Sequence, residues 1–184
     1  MMKSLKLLIP IAVFVATLGG GFALSRMQRN EMYDEREIAN KSFRIRIAAY
    51  KERGVSLPGV YFSFQSATIQ SEKWQDLLTV KGDEPVAIRP EQLGFVNNHI
   101  GYGFIGSHYI VTTNGGANWS IWDGENHLPR GAKRQEYNLS PYIESIELQT
   151  DGTGFMTLYP YYKDRARGPR LVTADYGLNW SLKE

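Results

Sequence analysis

The stretch VTTNGGANWS at 111–120 returns at 172–181 as VTADYGLNWS. The copies share Val111/Val172, Thr112/Thr173, Gly116/Gly177, Asn118/Asn179, Trp119/Trp180 and Ser120/Ser181, and Asn114 is answered by Asp175. No other feature restricts the fold as much, because each shared residue type has a physical task in a tight turn between strands. Val and Thr lead in as strand residues. Asn or Asp bonds its side chain to backbone N–H groups of the turn. Gly116 and Gly177 supply the positive φ that the turn needs. Trp119 and Trp180 fold back and fill the base of the hairpin. The unit reads as a self-supporting β-hairpin corner.

The surroundings agree with a β-rich body. From Gly54 onward, short β-prone runs alternate with turn residues: VYFSF at 60–64, LLTV at 77–80, IGYGFIG at 100–106 and HYIVTT at 108–113. SIELQTDGTGFMTLY at 145–159 reads as two strands joined at TDGTG. Pro90 in RPEQLGF suits the first position of one helical turn. Residues 54–184 are therefore expected to form one all-β domain.

The pattern S/T-x-D/N-x-G-x-x-W resembles the Asp-box, or BNR repeat, of sialidases and related β-propellers, and GYGFIG at 101–106 resembles the strand that pairs with the one entering the box. The resemblance covers about residues 95–181. It implies that Thr112, Asn114, Gly116, Trp119, Thr173, Asp175, Gly177 and Trp180 are architecture, because the boxes of sialidases lie on the far side of the propeller from the active site. Two or three repeats are too few to close a propeller. The expectation is a small antiparallel domain, partly propeller-like or a sandwich, that hides its sheet edges in another way.

The N-terminus reads as a targeting segment. Lys3 and Lys6 precede residues 7–24, which carry no charge. A helix of that length spans roughly 27 Å at about 1.5 Å per residue, just enough for a bilayer. A signal peptide cut after Ala23 fits the same residues. The length of the run and the nearby Arg26 and Arg29 favour an uncleaved anchor. Either version exports the C-terminal body, so the expected location is the periplasm, tethered to the inner membrane or free after cleavage. Residues 25–53 are charge-dense. Ile38, Phe43, Ile47 and Tyr50 allow an apolar helical stripe, while Phe43, Ile45 and Ile47 alternating with Arg44 and Arg46 suit a strand equally well. Of the two, a juxtamembrane helix is the expectation.

Little points to catalysis. The chain has 21 Lys and Arg, 19 Asp and Glu, 3 His and no Cys. Thiolate chemistry and disulfides are thereby excluded, and near-neutral charge gives no reason to expect nucleic acid. His99, His108 and His127 lack metal-ligand spacing. No nucleophile elbow, phosphate loop or zinc-protease motif occurs. A non-enzymatic binding protein without cofactor or metal is expected, and its recognition residues are sought on loops. Tyr and Arg dominate binding hot spots, which singles out Tyr161, Tyr162, Arg165 and Arg167 in YPYYKDRARGPR. The polar loop after the first copy is the second candidate, with Trp122 expected to be exposed.

Small exported proteins of this layout resemble periplasmic immunity proteins against type VI secretion lipase effectors, on VTTNGGANW, DGTGFMTLY and LVTADYGLNW. Many of those are lipoproteins, whereas this chain has no Cys to acylate, so the N-terminal helix would replace the lipid. The resemblance implies inhibition by docking on a toxin. The alternatives are an assembly factor for a membrane complex, similar to the Asp-box propeller that helps build photosystem II, and a non-catalytic carbohydrate-binding module.

Overall fold

In the computed structural model, residues 30–54, 58–128, 142–159 and 169–183 are described. The expected transmembrane or signal helix lies outside the described residues. Among the described residues, no helix is long and apolar enough to cross a membrane.

The described residues form strands that pair in sequence order into three antiparallel four-stranded sheets. The first sheet holds β1 (Asn30–Ala39), β2 (Phe43–Glu52), β3 (Val60–Thr68) and β4 (Gln75–Gly82). The middle sheet holds β5 (Leu93–Phe95), β6 (Gly101–Ile105), β7 (His108–Thr112) and β8 (Ser120–Asp123). The third holds β9 (Ile143–Leu148), β10 (Gly154–Leu158), β11 (Arg170–Thr173) and β12 (Ser181–Leu182). A 3-10 turn at Pro90–Gln92 precedes β5, and a single helical turn, α1 (Gly124–His127), comes after β8.

Residues 30–52 correct the expected juxtamembrane helix. They form the hairpin β1–β2, in which Ile38 faces Ile45 and Arg46 faces Glu37. The governing period is two: Phe43, Ile45, Ile47 and Ala49 point into the core, while Arg44 and Arg46 point away from it. Among the described residues, the β body therefore already includes Asn30–Glu52, ahead of residue 54. A break there would remove one edge strand and one central strand of the first sheet.

Two cores lie between three layers. One joins Phe43, Ile45, Ile47, Phe62 and Phe64 of the first sheet to Leu93, Ile105 and Ile110 of the middle sheet. The other joins Phe104, Tyr109, Val111 and Trp122 of the middle sheet to Ile146, Met156, Leu158, Leu171 and Trp180 of the third. The middle sheet is thus buried on both faces, with neighbours Tyr109 and Ile110 pointing into opposite cores. Edges are kept short or charged: β5 has three residues, β12 has two, and β1 carries Glu31, Asp34, Glu35, Arg36 and Glu37.

Candidate functional site

The repeated phrase folds into two turns of the same construction. β7 ends at Thr112, whose hydroxyl accepts the Gly116 N–H at 3.0 Å, and the Asn114 side-chain oxygen accepts the Asn118 N–H at 2.9 Å. β11 ends at Thr173, whose hydroxyl accepts the Gly177 N–H at 3.0 Å, and Asp175 accepts the Asn179 N–H at 2.9 Å. Gly116 and Gly177 stand at φ +85° and +84°. Each turn is also tied to the preceding turn of its own sheet. Gly115 N–H donates to the His99 carbonyl, and Tyr176 N–H donates to the Gly152 carbonyl, both at 2.8 Å.

Part of this arrangement recurs in the first sheet, which the sequence reading missed. In the first sheet Ile69 N–H donates to the Ser42 carbonyl at 3.3 Å, again tying the turn after the third strand to the turn before the second, but from the first residue after the threonine, not the third. Asn40 accepts from the N–H groups of Ser42 and Phe43, just as Asn97 accepts from those of His99 and Ile100. The third strand again ends in a threonine, Thr68, and a tryptophan, Trp74, again stands directly before the fourth strand. The faint signal in the sequence is Thr68 and Trp74 bracketing a strand junction, one residue closer together than in the two copies and without glycine.

Each tryptophan lies on the same side of its sheet. Trp119 packs edge-on against Phe43 of the first sheet, with centroids 6.0 Å apart. Trp180 packs edge-on against Tyr109 of the middle sheet at 5.8 Å. Trp74 lies on the face of the first sheet away from the core, under the guanidinium groups of Arg44 and Arg46 at 4.5 and 4.3 Å. The layer continues through Arg46 to Glu35 and Gln65, and from Gln65 and Ser63 to Asp76. Arg44 pairs with Glu37 and donates to the Ser71 carbonyl. This polar sheet face is the second feature the sequence reading missed.

The opposite rim carries the long connections. Ile143 N–H donates to the Gly106 carbonyl, Gly124 N–H to the Ser107 carbonyl, and Tyr159 N–H to the Tyr142 carbonyl. The described residues that flank 129–141 and 160–168 therefore lie at this rim, away from the repeat turns. Tyr142 and Tyr159 are 45% and 40% exposed there. The Tyr142 hydroxyl points to the Asp83 carboxylate at 3.4 Å. Partial burial, and then the negative charge and hydrogen bond of Asp83, raise its phenol above the ordinary value.

The expected recognition residues divide. Tyr161, Tyr162, Arg165 and Arg167 lie outside the described residues. Trp122, expected to be exposed, is 6% exposed and belongs to the core between the middle and third sheets. Strand alternation in β8 turns Ile121 outward and Trp122 inward, which removes Trp122 from the candidate surface. Two of the three histidine side chains have local partners. His108 Nδ1 meets the Ser107 hydroxyl at 3.2 Å, and His127 Nδ1 lies 3.1 Å from the Asp123 backbone. Among the described residues, no group of three or more His, Cys, Asp or Glu is placed to hold a metal.

No protein-family model, curated protein or solved structure matches the chain.

Proposed function

We propose that the chain is a membrane-tethered, exported binding protein that neutralises a secreted antibacterial effector of the lipase type by docking on it. The observation that carries the docking part is the rim at Tyr142 and Tyr159. These exposed tyrosines flank both connections, and the connections are rich in Arg and Tyr. A three-layer stack with two apolar cores gives this rim a rigid base, and segments joining rigid strands are a common place for recognition. Repeat turns braced by their own side chains leave that rim free to vary. The lipase class of the partner and the periplasmic location come from the family resemblance and the N-terminal run.

The test is capture by the full-length chain in mild detergent, from lysates that contain secreted effectors, followed by mass spectrometry and an ester-hydrolysis assay. The expected result is a lipase-type effector whose hydrolysis falls in proportion to the chain added. Tyr142→Ala with Tyr159→Ala, or charge reversal at Arg165 and Arg167, should weaken binding about tenfold or more without lowering the melting temperature. Recovery of membrane-complex subunits would replace this reading with the assembly-factor one. Recovery of sugars or lipids alone would sink both.

A further inference from the structure

The two outward faces of the stack are built as halves of one contact. Inside the chain, the tryptophan before each fourth strand packs on an aromatic ring of the preceding sheet: Trp119 on Phe43, and Trp180 on Tyr109. Trp74 occupies the same place in the first sheet, and among the described residues no sheet precedes it. At the other end, β10 turns Met156 and Leu158 toward the core and Phe155 away from it. Phe155 is then an aromatic on the second strand of its sheet, as Phe43 is on the second strand of the first. No sheet comes after it among the described residues. Both rings are covered by cations instead, Trp74 by Arg44 and Arg46, Phe155 by Arg170 at 4.0 Å and Lys183 at 5.3 Å.

The geometry points to a second copy of this chain as the occupant of both faces: Trp74 of each copy docks on Phe155 of the other. A two-fold axis satisfies both contacts at once. It places three sheets after three and gives six, within the usual range for a closed ring of four-stranded sheets. The summed charges of the two faces are opposite in sign. The outward face of the first sheet carries Glu35, Glu37, Glu52 and Asp76 against Arg44, Arg46 and Lys81. The outward face of the third carries Arg170 and Lys183 against Glu147. One face is left with an excess negative charge and the other with an excess positive charge.

Size sets the expected strength. The third sheet is the smaller. Strands of five residues such as β10, at about 3.3 Å per residue and about 4.8 Å between four strands, offer roughly 300 Å². Two contacts of two faces each bury roughly 1,200 Å², at the lower edge of stable interfaces. The pairing is therefore reversible and depends on concentration.

The mass of the full-length chain in neutral detergent, measured by light scattering over a concentration series, tests this. The wild type should shift from one to two copies per particle. Trp74→Ala and Phe155→Ala should each raise the dissociation constant about tenfold or more, with circular dichroism and melting temperature unchanged. Since the chain has no cysteine, Thr79→Cys and Thr157→Cys place one thiol on each outward face. Oxidation should cross-link a mixture of the two variants and leave each alone uncoupled. Three results would overturn the proposal: one copy per particle throughout, a dimer that survives both aromatic substitutions, or either single-cysteine variant coupling to itself. The second of these would assign the pairing to another segment, such as residues 1–29.

Discussion

The first repeat turn rests on Phe43 and the second on Tyr109, and that hydroxyl changes how each turn meets its hydrogen-bonding needs. In the first, the Trp119 indole N–H donates to the Gly116 carbonyl at 3.2 Å, so the turn completes its own ring. In the second, Tyr109 donates to the Tyr176 carbonyl at 2.9 Å, and the buried Trp180 N–H finds no partner among the described residues. An orphaned buried donor costs about 1–3 kcal/mol. Packing offsets it: Trp180 is 9% exposed, and Trp119 is only half-buried. The second turn also holds Tyr176 at φ +60°, where the first has Gly115 at +72°. The Tyr176 hydroxyl donates to the Thr150 carbonyl at 2.8 Å, which fixes that conformation from the β9–β10 turn. The first turn is thus a local brace, while the second is a lock between the middle and third sheets. Burial raises the Tyr109 phenol well above its ordinary value, so it remains a donor at neutral pH.

Removing the tryptophans gives the widest separation between the two turns. Trp180→Ala should lower unfolding stability by about 3–5 kcal/mol, the range for deleting a buried aromatic, and Trp119→Ala by about 2 kcal/mol. Urea unfolding of the two variants measures the difference. Equal losses would mean that the second turn is no more a lock than the first. The glycines come next. Both have positive φ, so an added Cβ is strained in either, but at Gly177 it would meet the Tyr109 oxygen at 2.5 Å and at Gly116 the Phe43 ring at 3.1 Å. Gly177→Ala should cost about 3 kcal/mol and Gly116→Ala about 2 kcal/mol, from strain at positive φ and overpacking. The reverse order would show that the Tyr109 ring yields more easily than that of Phe43.

The same contrast explains what could be read in the chain before folding. Turns whose tasks fall to their own residues were legible: Thr112, Asn114 and Gly116 encode a ring that closes locally, as do Thr173, Asp175 and Gly177. TDGTG marked the β9–β10 hairpin, and Pro90 the 3-10 turn, for the same reason. The partner on which each tryptophan rests was not legible, because Phe43 and Tyr109 lie in other sheets. The partial counterpart in the first sheet was hidden by its missing glycine and its shortened spacing between Thr68 and Trp74. The hairpin β1–β2 was hidden by charge. Arg44, Arg46, Glu35 and Glu37 pair across the outward face of a strand, yet in sequence they imitate a solvated helix. Trp122 misled because β8, an edge strand, carries neighbouring large apolar residues on opposite faces: Ile121 is 45% exposed and Trp122 is in the core, so apolarity alone does not tell which face is inside.

The smallest effect bears on the one acidic difference between the copies, Asp175 against Asn114. Desolvation pushes the Asp175 carboxyl up. The Asn179 side chain and backbone, the Thr173 hydroxyl and the Leu178 N–H outweigh it, and the net shift is downward. A carboxyl whose folded pKa is depressed contributes stability that is complete above its unfolded value, about 3.9, and is lost as pH falls through the lower folded value. Asp175→Asn, which copies the first turn, should therefore be less stable than the wild type at pH 7, and the gap should narrow as the pH falls through the depressed folded value. Asp151, also shifted downward by its bonds to Thr153, is present in both chains and cancels in the difference. The gap is small because Asp175 is half-buried at the surface, where solvent still screens its charge. Urea midpoints at pH 7 and at low pH decide it: parallel losses in the two chains would show that the second turn gains nothing from its charge, and that its contacts with Tyr109 and Thr150 distinguish it from the first.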